Sequence, residues 1–239
     1  MDLGIAGRVA LVTASSKGLG RASAAALREE GVDVVICARG REAVEETTTA
    51  LGGPEHVLGL VEDVTDPEAP GRLVAAAVER WGRLDIVVPN AGGPPPGRAL
   101  EVTDDQIEAA VNANLITSVR LIREAVPHMA KAGWGRVCCI TSYSVKQPIP
   151  TLALSNLART GLWAWAKTAA QDLAGTGITV NLACPGAHAT DRMKQLGGSG
   201  PMGDPAQFGR VVAFLCSEPA AFVNGAALQV DGGATTGLL

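Results

Sequence analysis

Short runs rich in Val, Ile and Leu recur along the chain at 8–13, 33–38, 57–61, 84–88, 135–140, 179–183 and 227–230, and longer Ala-rich stretches of helical period fill the gaps. Continuous apolar runs are the mark of strands buried on both faces, and their alternation with helices predicts a parallel sheet covered on both sides. The helix after the first run spans 21–30. Two helices are long: 103–132, opened by Thr103-Asp104-Asp105 as a cap, and 151–174, closed by Gly175. The Pro- and Gly-rich stretches 92–97 and 197–203 are loops beyond strand carboxyl ends, the edge where open α/β sheets bind ligands. No repeat or linker breaks the series. The expectation is one α/β domain over 1–239, a doubly wound parallel sheet of about seven strands with a single cleft.

A length of 239 residues suits one large α/β domain. With 47% hydrophobic and 18% charged residues, the composition is apolar enough to fold and not biased toward disorder. The formal net charge is −4 and no basic block tracks along the chain, so nucleic acid is not an expected partner. Residues 1–8 lack a basic segment leading into an apolar run, and no apolar stretch approaches ~20 residues, so neither secretion nor a membrane span is expected. Cys37, Cys138, Cys139, Cys184 and Cys216 lie in apolar surroundings without C-x-x-C spacing. They read as buried reduced thiols of a cytoplasmic protein, and no metal is expected.

After the first strand comes Thr13-Ala14-Ser15-Ser16-Lys17-Gly18-Leu19-Gly20, opening a helix within a βαβ unit. Such a turn aims backbone N–H groups and a positive helix end at a pyrophosphate. Ala14 stands where the first glycine of such a turn is usual, which a residue with negative φ tolerates. Further motifs follow: Asp63-Val64 after the third strand, Asn90-Ala91-Gly92 after the fourth, Asn114 in the long helix, Ser142 after the fifth, Pro185-Gly186 with Thr190 after the sixth, and Val230-Asp231-Gly232-Gly233 near the end. Over this whole span the chain resembles the short-chain dehydrogenase/reductase family, whose fold is Rossmann-type. The resemblance implies that Asp63 and Val64 hold the adenine, that Asn90, Ala91 and Gly92 line the ribose side, and that Pro185, Gly186, His188 and Thr190 hold the nicotinamide carboxamide. About twenty residues beyond the glycine turn, an acid selects NAD and an arginine accommodates a 2′-phosphate. That place holds Arg39, and with Lys17 it forms a cation pair that points to NADP(H).

The family's reductases resemble one another in a Ser, a Tyr-x-x-x-Lys and an Asn. Thirteen residues beyond Ser142, the run Leu154-Ser155-Asn156-Leu157-Ala158-Arg159 places Ser155 where the tyrosine belongs and Arg159 where the lysine belongs. An alkyl hydroxyl is a far weaker acid than a phenol, and shorter by a ring. Arg159 can clamp ribose hydroxyls, but a guanidinium does not pass a proton along. Alternatively, Ser155 bonds its own backbone and Arg159 is a structural clamp. Two other groups can supply the acid. One is Tyr143, the only tyrosine, whose side chain points away from the substrate if Ser142 points toward it. The other is His188, with an unperturbed pKa near 6.5, unless a local hydrogen bond holds it.

The segment between Thr190 and Pro205 corresponds to the family's substrate lid and is short. Asp191, Arg192 and Lys194 within it can meet an anionic or polar substrate, or simply be solvated. The first functional expectation is an NADP(H)-dependent carbonyl or 3-oxoacyl reductase with an atypical tetrad, acting on a ketone or acyl-type small molecule. Alternatives are an isomerase or lyase on the same scaffold, or a non-catalytic NADP-binding protein. The resemblance also implies a homodimer or homotetramer through the two long helices, with Ala109, Ala110, Ala113, Trp163 and Trp165 as candidates for the contact.

Overall fold

The computed structural model describes residues 1–198 and 200–238. Seven parallel strands form one sheet: β1 (Val9–Val12), β2 (Asp33–Ala38), β3 (Val57–Val61), β4 (Ile86–Val88), β5 (Gly135–Ile140), β6 (Ile178–Pro185) and β7 (Ala227–Val230), in the order β3-β2-β1-β4-β5-β6-β7. Alternate strand residues divide between two cores, as the two-residue period demands. Leu11, Val35, Val87, Val137 and Leu182 point to one face. Val12, Val34, Ile86, Ile140 and Ala183 point to the other.

The first face is covered by α3 (Ala69–Trp81), α5 (Thr117–Ala132) and α6 (Ala153–Asp172), through Leu73, Leu121, Ile122 and Leu162. The second lies under α1 (Gly18–Glu29) and α8 (Pro205–Leu215), through Leu27, Phe208 and Val212. These two helices touch closely: a Cβ on Gly209 would collide with the Ala22 carbonyl oxygen. The helix α2 (Arg41–Ala50) packs beside β2 and β3, with Val44 buried.

Four local features differ from the sequence expectation. The helix 103–132 is divided into α4 (Asp104–Val111), a π-helical turn at Asn112–Ile116, and α5. The expected cap at its start is present: the Thr103 hydroxyl accepts from Gln106 N–H while the Gln106 side chain accepts from Thr103 N–H. The wide turn gives up the regular i→i−4 ladder and sets Asn114 inward, 4% exposed. Secondly, the first helix begins at Gly18 rather than at 21. Thirdly, the lid region carries a short helix, α7 (Asp191–Gln195), capped by Thr190. Fourthly, Ala14 has φ +46°, so it does not keep the negative φ that would make alanine comfortable there.

Between β1 and β4 the strand order reverses, and the loops after these strands separate in opposite directions. A crevice at the carboxyl end of the sheet is the consequence. Thr13 and Asn90 lock its floor. Thr13 Oγ1 donates to the Asn90 carbonyl at 2.7 Å and accepts from Asn90 N–H at 2.8 Å, while Asn90 Nδ2 donates to the carbonyls of Thr13 and Ala14 at 3.2 and 3.1 Å.

Candidate active site

The glycine-rich turn is shaped from below. Ser15 Oγ donates to Val12 O at 2.6 Å and accepts from Cys37 N–H, and Ser15 N–H donates to Cys37 O, so its two donors are spent on β1 and β2 rather than on the crevice. Ser16 offers its carbonyl to Thr47 Oγ1 at 3.2 Å. Gly18 takes φ +58°, a left-handed conformation favouring glycine. Gly20 is needed for a different reason: a Cβ there would lie 2.6 Å from Asn90 Nδ2 and 2.7 Å from the Ala14 carbonyl. Lys17 caps α1 without a side-chain hydrogen bond, so the first-turn N–H groups of Gly18, Leu19 and Gly20 face outward at the positive end of the helix.

The rest of the crevice is assembled along the same edge. Arg39 directly follows β2 and is exposed, as is Lys17. Asp63 is fixed in a turn by Thr65, whose N–H and hydroxyl donate to it at 3.0 and 2.8 Å. Those two bonds, and to a lesser extent the charge of Arg39, hold its carboxyl below the usual range. Val64 gives its carbonyl to Thr117 Oγ1 at 3.1 Å. Asn90 is held by Thr13, as above, and Ala91 and Gly92 continue from it. Pro185 ends β6, and Gly186 N–H donates to Val230 O at 3.0 Å. Thr190 comes back over Gly18, its Cγ2 lying 3.8 Å from where a Cβ on that glycine would sit. A cradle that tolerates no Cβ at Gly20, a helix start without a side-chain cap, and two exposed cations, Arg39 directly after β2 and Lys17 at the start of α1, fit a dinucleotide.

The groups expected to do chemistry lie on the β5 side. Ser142 stands two residues beyond the end of β5, and its Oγ accepts from Ser144 N–H at 3.1 Å. Tyr143 starts a 3-10 turn with Ser144 and Val145 and is half-buried. Ser155 and Arg159 lie one turn apart on the inward face of α6, 7% and 9% exposed. Arg159 gathers the local framework. It donates to the carbonyl of Thr141, to that of Ile140 at 3.5 Å and to Asn114 Oδ1 at 3.1 Å, while Asn114 Nδ2 donates to Ala110 O at 3.4 Å. Its Nε is buried and, among the described residues, has no partner. Burial, then the nearby charge of Arg192, bring its pKa down to about 10, so it stays charged at neutral pH.

His188 does not join this group. It is 5% exposed, its ring meets Phe208 edge-on at 5.2 Å, its Nδ1 lies 3.2 Å from the Gly186 carbonyl, and Gly203 closes against the ring. It is the locally bonded histidine, engaged by Gly186, Gly203 and Phe208. One contributor escaped the sequence reading: the carbonyl of Thr141 has no residue-type signal at all. Arg192, expected either to meet substrate or to be solvated, places its Nη2 2.5 Å from the Pro94 carbonyl and joins α7 to the 92–97 loop.

A nucleotide crevice at the reversal point of a Rossmann-type sheet, beside an inward-facing Ser, Asn and cation, defines the class as a dinucleotide-dependent oxidoreductase scaffold. A sequence profile described as enoyl-(acyl carrier protein) reductase matches residues 13–235. Dehydrogenase/reductase SDR family member 4 of Sus scrofa is 34% identical, covering 97% of this chain and 88% of its own. The 3-oxoacyl-[acyl-carrier-protein] reductase of Vibrio cholerae is 30% identical, covering 97% and 98%. L-Sorbose reductase from Gluconobacter frateurii, solved with NADPH and L-sorbose, superposes with a TM-score of 0.91 at 30% identity over 100% of both chains. The chain belongs to the short-chain dehydrogenase/reductase family.

Proposed function

We propose that the protein is an NADPH-dependent carbonyl reductase with an altered catalytic tetrad, acting on a ketone or acyl-type small molecule. The observation that carries the cofactor choice is Arg39: a cation, not an acid, follows β2, and Lys17 caps α1 beyond the neighbouring strand β1. The sorbose reductase that this chain resembles was solved with NADPH, which supports the same reading. Residues 13–20, Arg39, Asp63, Val64, 90–92, Pro185, Gly186 and Thr190 would hold the nucleotide, with Ser15 and His188 serving from behind.

When bound, the reduced nicotinamide supplies a hydride to the carbonyl carbon. The oxygen then needs charge stabilisation and a proton. Arg159, fixed in place by two main-chain carbonyls and Asn114, provides a permanent positive charge beneath it. Ser142 and Ser155 provide short hydroxyls that orient the carbonyl and hand on a proton from water. Neither is acidic enough to be its ultimate source. Tyr143, next to Ser142, is the remaining phenol. Five buried free thiols accord with a cytoplasmic location, and residues 1–239 act as one unit that assembles with copies of itself.

NADPH and NADH titrations followed by turnover on a ketone panel test this reading. NADPH is expected to bind at least about tenfold more tightly than NADH, with Arg39→Asp reversing the preference. Wild-type protein is expected to consume NADPH on at least one ketone, and Ser155→Tyr with Arg159→Lys to accelerate it. Product without nucleotide consumption would favour an isomerase or lyase. Binding with no product in either protein would favour a non-catalytic role.

A further inference from the structure

The chain beyond β4 has little to hold it. Between Ala91 and Pro96 it carries three consecutive prolines, which have no N–H to donate. Among the described residues this stretch makes a single hydrogen bond, from Arg192 Nη2 to the buried Pro94 at its carbonyl, 2.5 Å away. The same guanidinium lies 3.0–3.2 Å from where a Cβ on Gly93 would begin. Past the prolines the loop is firm again: Gly97 N–H donates to Thr151 O at 2.8 Å and Ala153 N–H to Gly97 O at 3.1 Å, which ties it to the start of α6.

The segment that supplies Arg192 is rooted more strongly. Gly186 N–H donates to Val230 O, Ala189 N–H to Gly203 O at 3.0 Å and Gly203 N–H to Ala187 O at 2.9 Å, while the His188 ring packs on Phe208. From this root the chain passes Thr190, which lies over Gly18, and then reaches Pro94 through Arg192. It therefore touches the loop after β1 at one point and the loop after β4 at another, and those two loops are the opposite sides of the crevice. A charged donor on a carbonyl is a strong bond, and a loop with no other depends on it. We infer that Arg192 is a latch: residues 186–195 form a strap fastened across the mouth of the crevice, and the nucleotide enters and leaves as the guanidinium lets go of Pro94. Arg192 is thus a positioning residue that acts through the 92–97 loop. The inference rests on the reductase reading, which puts the nucleotide in this crevice, and adds what governs its passage.

Stopped-flow fluorescence of NADPH on the full chain tests it, with mixing giving the entry rate and displacement by excess NADP+ the exit rate. In Arg192→Met, which keeps the helix-forming stem and loses the donors, both rates are expected to rise about tenfold. Because a gate acts on both directions, the Kd should stay within about threefold. Arg192→Lys, with one donor group in place of the fork, is expected to fall between the two. Amide exchange at Gly97, on the far side of the latch, is expected to quicken about threefold or more in Arg192→Met, which a change confined to α7 would not produce. The inference is overturned if neither rate rises, or if Gly97 exchanges as in the wild type. It is equally overturned if only the exit rate rises and the Kd weakens in step, since Arg192 then holds the nucleotide itself. Should Arg192→Met fail to fold, Arg192→Gln, two bonds too short to reach Pro94, is judged by the same outcomes. A wild-type protein that gives no NADPH signal at all sinks the reductase reading and the gate with it, whereas a gate that fails alone leaves that signal intact.

Discussion

Ala14 holds φ at +46°, in the left-handed region, at the head of the nucleotide turn. For an L-residue with a Cβ this costs about 1–2 kcal/mol, and glycine, despite its larger unfolded-state entropy, would recover about half of that. Ala14→Gly is expected to raise stability by about 0.5–1 kcal/mol, a Tm gain of about 2 °C in a chain of this size. Thermal melting decides it; an unchanged or lower Tm would show that the turn relieves the residue in another way. Arg159 poses a complementary question, that of a charge kept despite burial. A lysine starts near 10.4, well below an arginine, and the same burial pushes it further down. In Arg159→Lys the folded protein would therefore release its proton at lower pH than the unfolded chain. Stability would rise with pH from near neutrality up to about 10.4. Wild-type Arg159, whose pKa is about 10 in the folded state, gives no such rise until pH approaches that value. The difference between the two proteins in denaturant melts across this range isolates the effect, because the buried thiols contribute equally to both.

At the scale of elements, α1 and α8 depend on one another through Gly209, whose missing side chain lets α8 settle on the Ala22 carbonyl. Gly209→Ala is expected to cost about 1–3 kcal/mol by forcing the helices apart. Since α1 also begins at the nucleotide turn, NADP+ binding should weaken with it. Denaturant titration and calorimetry on the same variant check both halves of the expectation, and a destabilised variant with undiminished affinity would show that the turn is independent of the helix behind it. The divided helix belongs to this scale too. The π-helical turn adds no hydrophobic signal, because Asn112–Ile116 keeps roughly the same apolar spacing as its flanks. What it changes is the direction of one amide, Asn114, which becomes the partner of Arg159.

Across the whole molecule, legibility follows the physics of each signal. The strands were readable because burial on both faces leaves unbroken apolar runs, and the glycine turn because Gly18 and Gly20 answer distinct backbone constraints. The seven strands agree with the runs to within two residues at either end. Ser155 and Arg159 were singled out by the family resemblance and their distance from Ser142; that both are buried on α6 is visible only in the folded chain. Three details depend on tertiary contacts that residue types do not encode: the left-handed φ of Ala14, the turning of His188 onto Phe208, and the reach of Arg192 to Pro94. Nucleotide binding to the folded chain alone stabilises it by mass action. NADP+ at about a hundred times its Kd should add about 2.7 kcal/mol, or about 5–10 °C in Tm.

The mutual bonds of Thr13 and Asn90 sit where the two halves of the sheet diverge, above only three registered residue pairs between β1 and β4. A dinucleotide lying over that junction works as a splint across two leaves joined at a narrow spine. Deuterium uptake at the amides of Thr13 and Asn90, which point to Val88 O and Thr13 Oγ1, should then slow first and most on loading. Equal slowing everywhere would mean that the spine was never the weak place.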